Sequence, residues 1–199
     1  LNIGGISNAT VVSIDELFSK DIGPGNCLID AWVRKNSEKK YDHGGYLASI
    51  GEKNEIIFEQ AQELYYNRNK EKKSFDTNDF DISFSRGLSL EDGTTTLTEF
   101  TGSIIAETIS LLAKNRKTFK NIIICGGGRK NKVLMDVIQK NLTIKTKINM
   151  IDDYGINGDF VESKAFAFLA IRSYKKLPIT FPSTTNCNEP CTGGKIIEN

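Results

Sequence analysis

Three short stretches of the chain could meet a ligand through bare backbone. Gly126-Gly127-Gly128 follows the apolar run Lys120-Asn121-Ile122-Ile123-Ile124-Cys125 and precedes a helical pattern that begins near Asn131. A glycine run leaves no Cβ to hold a flat ligand off the chain, and a helix start presents unpaired N–H groups to polar or anionic atoms. A plain strand-to-helix turn is the competing reading, although one glycine would serve it. The run is neither GxGxxG nor a Walker lysine motif. Gly4-Gly5 gives similar access, with Ser7 and Asn8 adding polar groups; taken alone it reads equally as a hairpin turn. Asp21-Ile22-Gly23-Pro24-Gly25-Asn26 reads as a rigid Gly/Pro loop bracketed by a carboxylate and an amide. That carboxylate could hold Mg²⁺ or its water shell, since the ion prefers oxygen ligands, or form an ordinary Asx-type turn.

The remaining candidates are single residues. Glu162 opens the last helical stretch, where an acid is favoured by about 0.3–1 kcal/mol whatever else it does. His43 has no Ser or Cys partner at a recognisable spacing and is not read as catalytic. Cys187 and Cys191 are close, but a single histidine and no second cysteine pair argue against zinc. Cys27 and Cys125 sit in apolar contexts as core residues, and the four thiols fit a reducing compartment.

The elements that position these residues follow from periodicity. Residues 1–8 and 9–14 predict two short strands joined by a turn. Helices are expected from Cys27 to about Glu38, from a cap at Asp42, over Glu55–Tyr66 and over Leu90–Asn115. Asn67–Leu88, rich in Lys and Asp with Phe75, Phe80 and Phe84 scattered through it, reads as a surface excursion with one short helix. The run 120–125 predicts a strand covered on both faces. Strand, helix, strand (Lys147–Ile151) and helix (about Phe160–Tyr174) then imply a parallel pair with helical crossovers, hence α/β.

The 199 residues are enough for one domain with a sizeable core, or two very small ones. A net charge of +1 provides no field for nucleic acid or an acidic membrane. Neither a membrane-length apolar run nor a signal peptide is visible. The start at Leu1, directly on a strand-like segment, suggests a piece of something longer.

Taken in order, these segments resemble the anhydro-N-acetylmuramic acid kinases. The match runs through residues 1–8, then Asp21–Asn26 with Leu28, Asp30, Ala31 and Trp32, then Cys125–Gly128 with Asn131. It continues through Gly155-Ile156, Asp159, Glu162 and Ala165–Ala170 to Leu177-Pro178 and Pro182–Thr185. The resemblance implies an RNase H-like domain of the actin-like ATPase type, a mixed sheet flanked by helices. Residues 1–199 would form a single nucleotide-binding domain, the C-terminal half of a two-domain sugar kinase, with the N-terminal half absent. ATP would lie between the two halves with Mg²⁺ bridging its phosphates. Gly4, Gly5 and Asn8 would face phosphates, and Asp21, Gly23, Gly25 and Asn26 would form a phosphate- or metal-side loop. Gly126, Gly127 and Gly128 would meet adenosine, and Glu162 the sugar.

The family opens the 1,6-anhydro bond of anhydro-N-acetylmuramic acid with water and phosphorylates the 6-oxygen, in cytoplasmic peptidoglycan recycling. The aspartate credited as base and the other phosphate loop belong to the preceding half, so no catalytic residue is assigned in this chain. A homodimer is expected by resemblance alone. Two departures stand out: Asp21-Ile22 where the family usually has Asp-Thr, and Lys73-Ser74-Phe75-Asp76-Thr77 where it has Lys-Ser-Thr-Gly-Arg. Two other expectations stay open. One is a truncated or split-gene product that at most binds nucleotide; the other is a kinase or ATPase with a different acceptor.

Overall fold

A computed structural model of the chain describes residues 1–14, 17–69, 74–114, 121–185 and 187–197, without the side chains of 68 and 69. Lys73, Asn115 and Lys120 of the sequence-based segments lie outside the described residues.

Three antiparallel strands open the fold: β1 (Asn2–Ile3), β2 (Ile6–Val12) and β3 (Leu17–Pro24), in the order β1-β2-β3. β4 (Asn121–Ile124) and β5 (Lys147–Met150) pair in parallel. A parallel bridge between Asn2 and Cys125 joins the two sheets, carried by Ile3 N–H to Cys125 O and Cys125 N–H to Leu1 O, each 2.9 Å. The combined order is therefore β3-β2-β1-β4-β5, with β2 antiparallel to its neighbours. β4 and β5 are the parallel pair that the sequence grammar implied, and the sheet as a whole is mixed, as the resemblance implied.

The expected loop at Asp21–Asn26 is mostly strand. Ser7 pairs with Gly23 and Asn8 with Asp21, so Ile22 is the extra residue of a β-bulge. The bulge turns Ile22 into the core, where it is 2% exposed. Pro24 is tolerated because β3 is an edge strand with no further ladder to feed.

Helices α1 (Cys27–Asn36), α2 (Tyr46–Ile50), α3 (Glu55–Asn69) and α4 (Leu90–Lys114) follow. Asp42 caps the α2 turn as expected, its carboxylate accepting from Leu47 N–H and Ala48 N–H. The long α4 serves two cores at once. Ile105, Ala106 and Ile109 pack on the sheet with Ile3, Ile122, Ile124, Leu134 and Ile138. Leu97, Phe100 and Ile104 face α1 and α3 through Leu28, Trp32 and Ala61. Trp32 seats over Gly93, where a Cβ would stand 2.2 Å from the indole, and donates to Leu90 O at 3.0 Å.

The 67–88 stretch is more than the surface excursion expected. Among its described residues, two single 3₁₀ turns (77–79 and 83–85) replace the short helix. Phe75 and Phe80 stack near Tyr65, and Phe84 meets Phe100, so the scattered aromatics close the second core.

After β4 come a 3₁₀ turn at 127–130, α5 (Lys132–Asn141) and β5. A second 3₁₀ turn (151–154), α6 (Val161–Tyr174) and the short α7 (Pro182–Thr185) complete the fold. β4 differs from expectation: Ile122 and Ile124 are buried, but Ile123 is 40% exposed. α6 buries none of its residues. Among the described residues no helix is long and apolar enough to cross a membrane.

Candidate functional site

The glycine bends meet at β1. Gly25 N–H donates to Gly5 O at 2.9 Å, and Asn26 N–H to Gly4 O at 2.7 Å. Asn26 Nδ2 adds bonds to Gly4 O at 3.1 Å and Ile3 O at 3.4 Å. On the other side of β1, a Cβ at Gly128 would stand 2.2 Å from Ile3 Cγ2, and one at Gly126 would meet Asn2 Oδ1 at 2.4 Å. Packing against β1 thus demands glycine at 126 and 128, as it does at 25, where a Cβ would fall 2.3 Å from Gly4 O. Gly127 differs. Its nearest neighbour, Asn26 Nδ2, is 3.8 Å from a Cβ, so its open face is available to something else.

Two cavities border Gly127. The larger, about 830 Å³, brings together Gly4, Asn8, Gly126, Gly127, Asp159 and Glu162. The smaller, about 360 Å³, is walled by Asn26, Asp30, Tyr41, His43, Lys130 and Gly127. Tyr41 and His43 stack there with ring centroids 6.0 Å apart. Burial raises the Asp30 carboxyl above its ordinary range; Arg34 opposes the shift and Asp42 adds to it. Both volumes fall in the range of small-molecule sites.

The other predicted residues lie elsewhere. Gly23 is buried, a Cβ there standing 2.7 Å from Ile104 and 3.0 Å from the Tyr65 hydroxyl. Gly5 faces Thr77, 3.5 Å from a Cβ. Asp21 Oδ2 accepts from Ser74 Oγ at 2.9 Å and Phe75 N–H at 3.0 Å, anchoring the aromatic stretch. Among the described residues, no three His, Cys, Asp or Glu side chains cluster to hold a metal.

One participant carried no sequence signal. Arg129 reaches Asp152, 23 residues away, with Nε–Oδ2 2.7 Å and Nη2–Oδ1 3.1 Å, and Asp159 through Nη1 at 2.8 Å. The Arg129 hydrogen bonds, with Gly158 N–H helping, lower the Asp152 pKa to about 2. Lys130 first, then Arg129, lower that of Asp159. No periodicity relates a cation after a glycine run to acids this far along the chain. His43, set aside as catalytic in the sequence, and Tyr41, which carried no signal, reach the smaller cavity because 41–44 fold onto the start of α5. A Cβ at Gly45 would stand 2.3 Å from Asn131 Oδ1, the α5 cap.

A mixed β3-β2-β1-β4-β5 sheet, with glycine bends on both sides of its central strand, places the chain in the actin-like ATPase class of α/β folds. The family model for anhydro-N-acetylmuramic acid kinase matches residues 1–199, and the chain belongs to that family. Relatives named anhydro-N-acetylmuramic acid kinase occur in several bacteria. That of Pelagibacter ubique is 48% identical, covering 100% of this chain and 54% of the relative. That of Zymomonas mobilis is 37% identical over 98% of the chain and 53% of the relative. That of Agrobacterium fabrum is 36% identical over 99% and 52%. The chain spans about half the length of the curated relatives it matches.

Proposed function

We propose that this chain is the nucleotide-binding, C-terminal half of an ATP-dependent kinase for 1,6-anhydro-N-acetylmuramic acid. Water opens the anhydro bridge and the freed 6-oxygen takes the γ-phosphoryl group, giving N-acetylmuramic acid 6-phosphate and ADP. The observation that carries this reading is the convergence of Gly4, Asn8, Gly126, Gly127 and Glu162 on one cavity, with a second cavity on the far side of Gly127. Backbone at Gly4, with Asn8, serves the phosphates, and Gly5, facing Thr77, closes the turn behind it. Gly127 meets the nucleoside, with Gly126 and Gly128 setting the bend, and Tyr41 and His43 supply flat surfaces for the base. Glu162 faces the sugar. Gly23 and Gly25 with Asn26 shape the phosphate-side bend.

Mg²⁺ belongs to the same reading, neutralising charge on the phosphates. Asp21 fits the ion's water shell only through Oδ1, since Oδ2 is committed to Ser74 and Phe75. The acceptor base comes from the other half of the enzyme, in the cytoplasm. α6 is suited to meet that half, with Phe166, Phe168, Ile171 and Tyr174 all exposed. A homodimer of completed enzymes is part of the same reading.

The test is direct. The chain is mixed with the complementary half of a full-length relative, and ADP release is measured with the anhydro sugar present and absent. Sugar-dependent release supports the kinase. Release with a different acceptor in a sugar panel moves the assignment to another acceptor. Nucleotide binding without release supports the second reading, a chain that at most binds nucleotide and turns nothing over. Gly127→Leu fills the open face without touching the packed ones, so it is expected to weaken ATP binding at least tenfold, measured by titration calorimetry, with thermal stability nearly unchanged.

A further inference from the structure

We infer that Arg129 is a positioning residue that locks the nucleoside-side glycine bend to the sugar-side segment 152–162, an inference that rests on the nucleotide and sugar reading above. The guanidinium occupies the junction of the two. Its side chain is only 6% exposed, yet all its partners are polar: a bidentate pair with Asp152, one bond to Asp159 and one from Nη1 to Gly126 O at 3.0 Å. Gly126 is the first residue of the bend, with φ +84°. Asp152 Oδ1 also accepts from Gly158 N–H at 3.2 Å, and a Cβ at Gly158 would lie 2.5 Å from Arg129 Nε. The 152–158 loop is therefore wrapped on the guanidinium, with glycine required where it crosses. Three residues beyond Asp159, Glu162 lines the larger cavity beside Gly126 and Gly127.

α6 buries none of its residues, so core packing of that helix does not fix Glu162 relative to the bend. A planar fork can satisfy a carbonyl and two carboxylates at once; an ammonium on a flexible stem cannot. Among the described residues the neighbouring Lys130 pairs with Asp159 alone, at 2.5 Å, and it is 58% exposed, so it does not duplicate the lock.

Amide hydrogen exchange of the whole chain, followed by mass spectrometry with and without ATP and Mg²⁺, tests the inference. Arg129→Lys is expected to speed exchange in 126–131 and 152–162 together, by roughly tenfold, while 97–110 of α4 stays at the wild-type rate. ATP is expected to slow both segments in the wild type and only 126–131 in the variant. Lys140→Ala, at the exposed end of α5 and outside both cavities, should preserve the wild-type pattern. Should Arg129→Lys fail to fold, Asp152→Asn removes the bidentate acceptor and carries the same expectation. Wild-type exchange in 152–162 of the variant overturns the inference. So does ATP protection of 126–131 alone in the wild type, which leaves the nucleotide reading standing. If ATP protects neither segment, the nucleotide reading fails, and the ligand-free rates still decide whether Arg129 is the lock.

Discussion

α4 and α6 are both rich in apolar residues, and they behave in opposite ways. α4 buries Leu97, Phe100, Ile104, Ile105, Ala106 and Ile109 between two clusters. α6 carries Ala165, Phe166, Ala167, Phe168, Leu169, Ala170 and Ile171 and buries none of them; Phe166 is 65% exposed. Composition therefore does not say what a helix is packed against. α4 is held by this chain's own sheet. α6 is tied at its end, where Arg172 donates to Pro178 O and Ser173 to Gly193 O, and its apolar surface stays exposed.

That contrast can be broken by substitution. Trp32→Ala, which empties the seat over Gly93, should cost about 3–5 kcal/mol of unfolding free energy in denaturant melts. A loss under 1 kcal/mol would mean the α1–α4 packing is far looser than the 3% exposure of Trp32 implies. Next in size is Gly128→Ala, expected to cost about 1–3 kcal/mol because the new methyl meets Ile3. Gly127→Ala should stay within about 0.5 kcal/mol, so equal costs at the two positions would erase the distinction between packed and open glycines.

The acidic loop gives a pH-dependent version of the same comparison. The folded pKa of Asp152, about 2, lies below the unfolded value of about 3.9. Its contribution is thus complete above that unfolded value and is lost as pH falls toward the folded one. The melting-temperature gap between wild type and Arg129→Gln should shrink across that window, and a gap independent of pH would remove the carboxylates from the account. The smallest effect is expected at Phe168→Ser on α6, within about 0.5 kcal/mol for this chain by itself. The same change should weaken capture of the complementary half, measured by sedimentation; unchanged capture would show that the partner sits elsewhere.

Most helices were legible because they repeat apolar residues at 3.6-residue spacing over long windows, as in Leu97, Ile104, Ile105 and Leu111 of the 25-residue α4. The strand–glycine–helix grammar around 121–141 was legible for the same local reason. β3 was not, because Gly23-Pro24-Gly25 carries turn chemistry even where Pro24 pairs with Ile6. The aromatics of 67–88 showed no period, since Phe80 and Phe84 reach the second core, with Phe75 against Phe80, from irregular backbone.

By itself, the sequence determined the α/β class, the family and the glycine bends, all of which depend on residue type and local order. The tertiary structure alone decided which glycine faces open space, that Asp21 anchors Phe75, and that Arg129 joins segments 23 and 30 residues apart. The reason is geometric. A bend's residue type is set by its own φ/ψ and immediate neighbours, whereas what lies across from it depends on how β1 is threaded between β2 and β4.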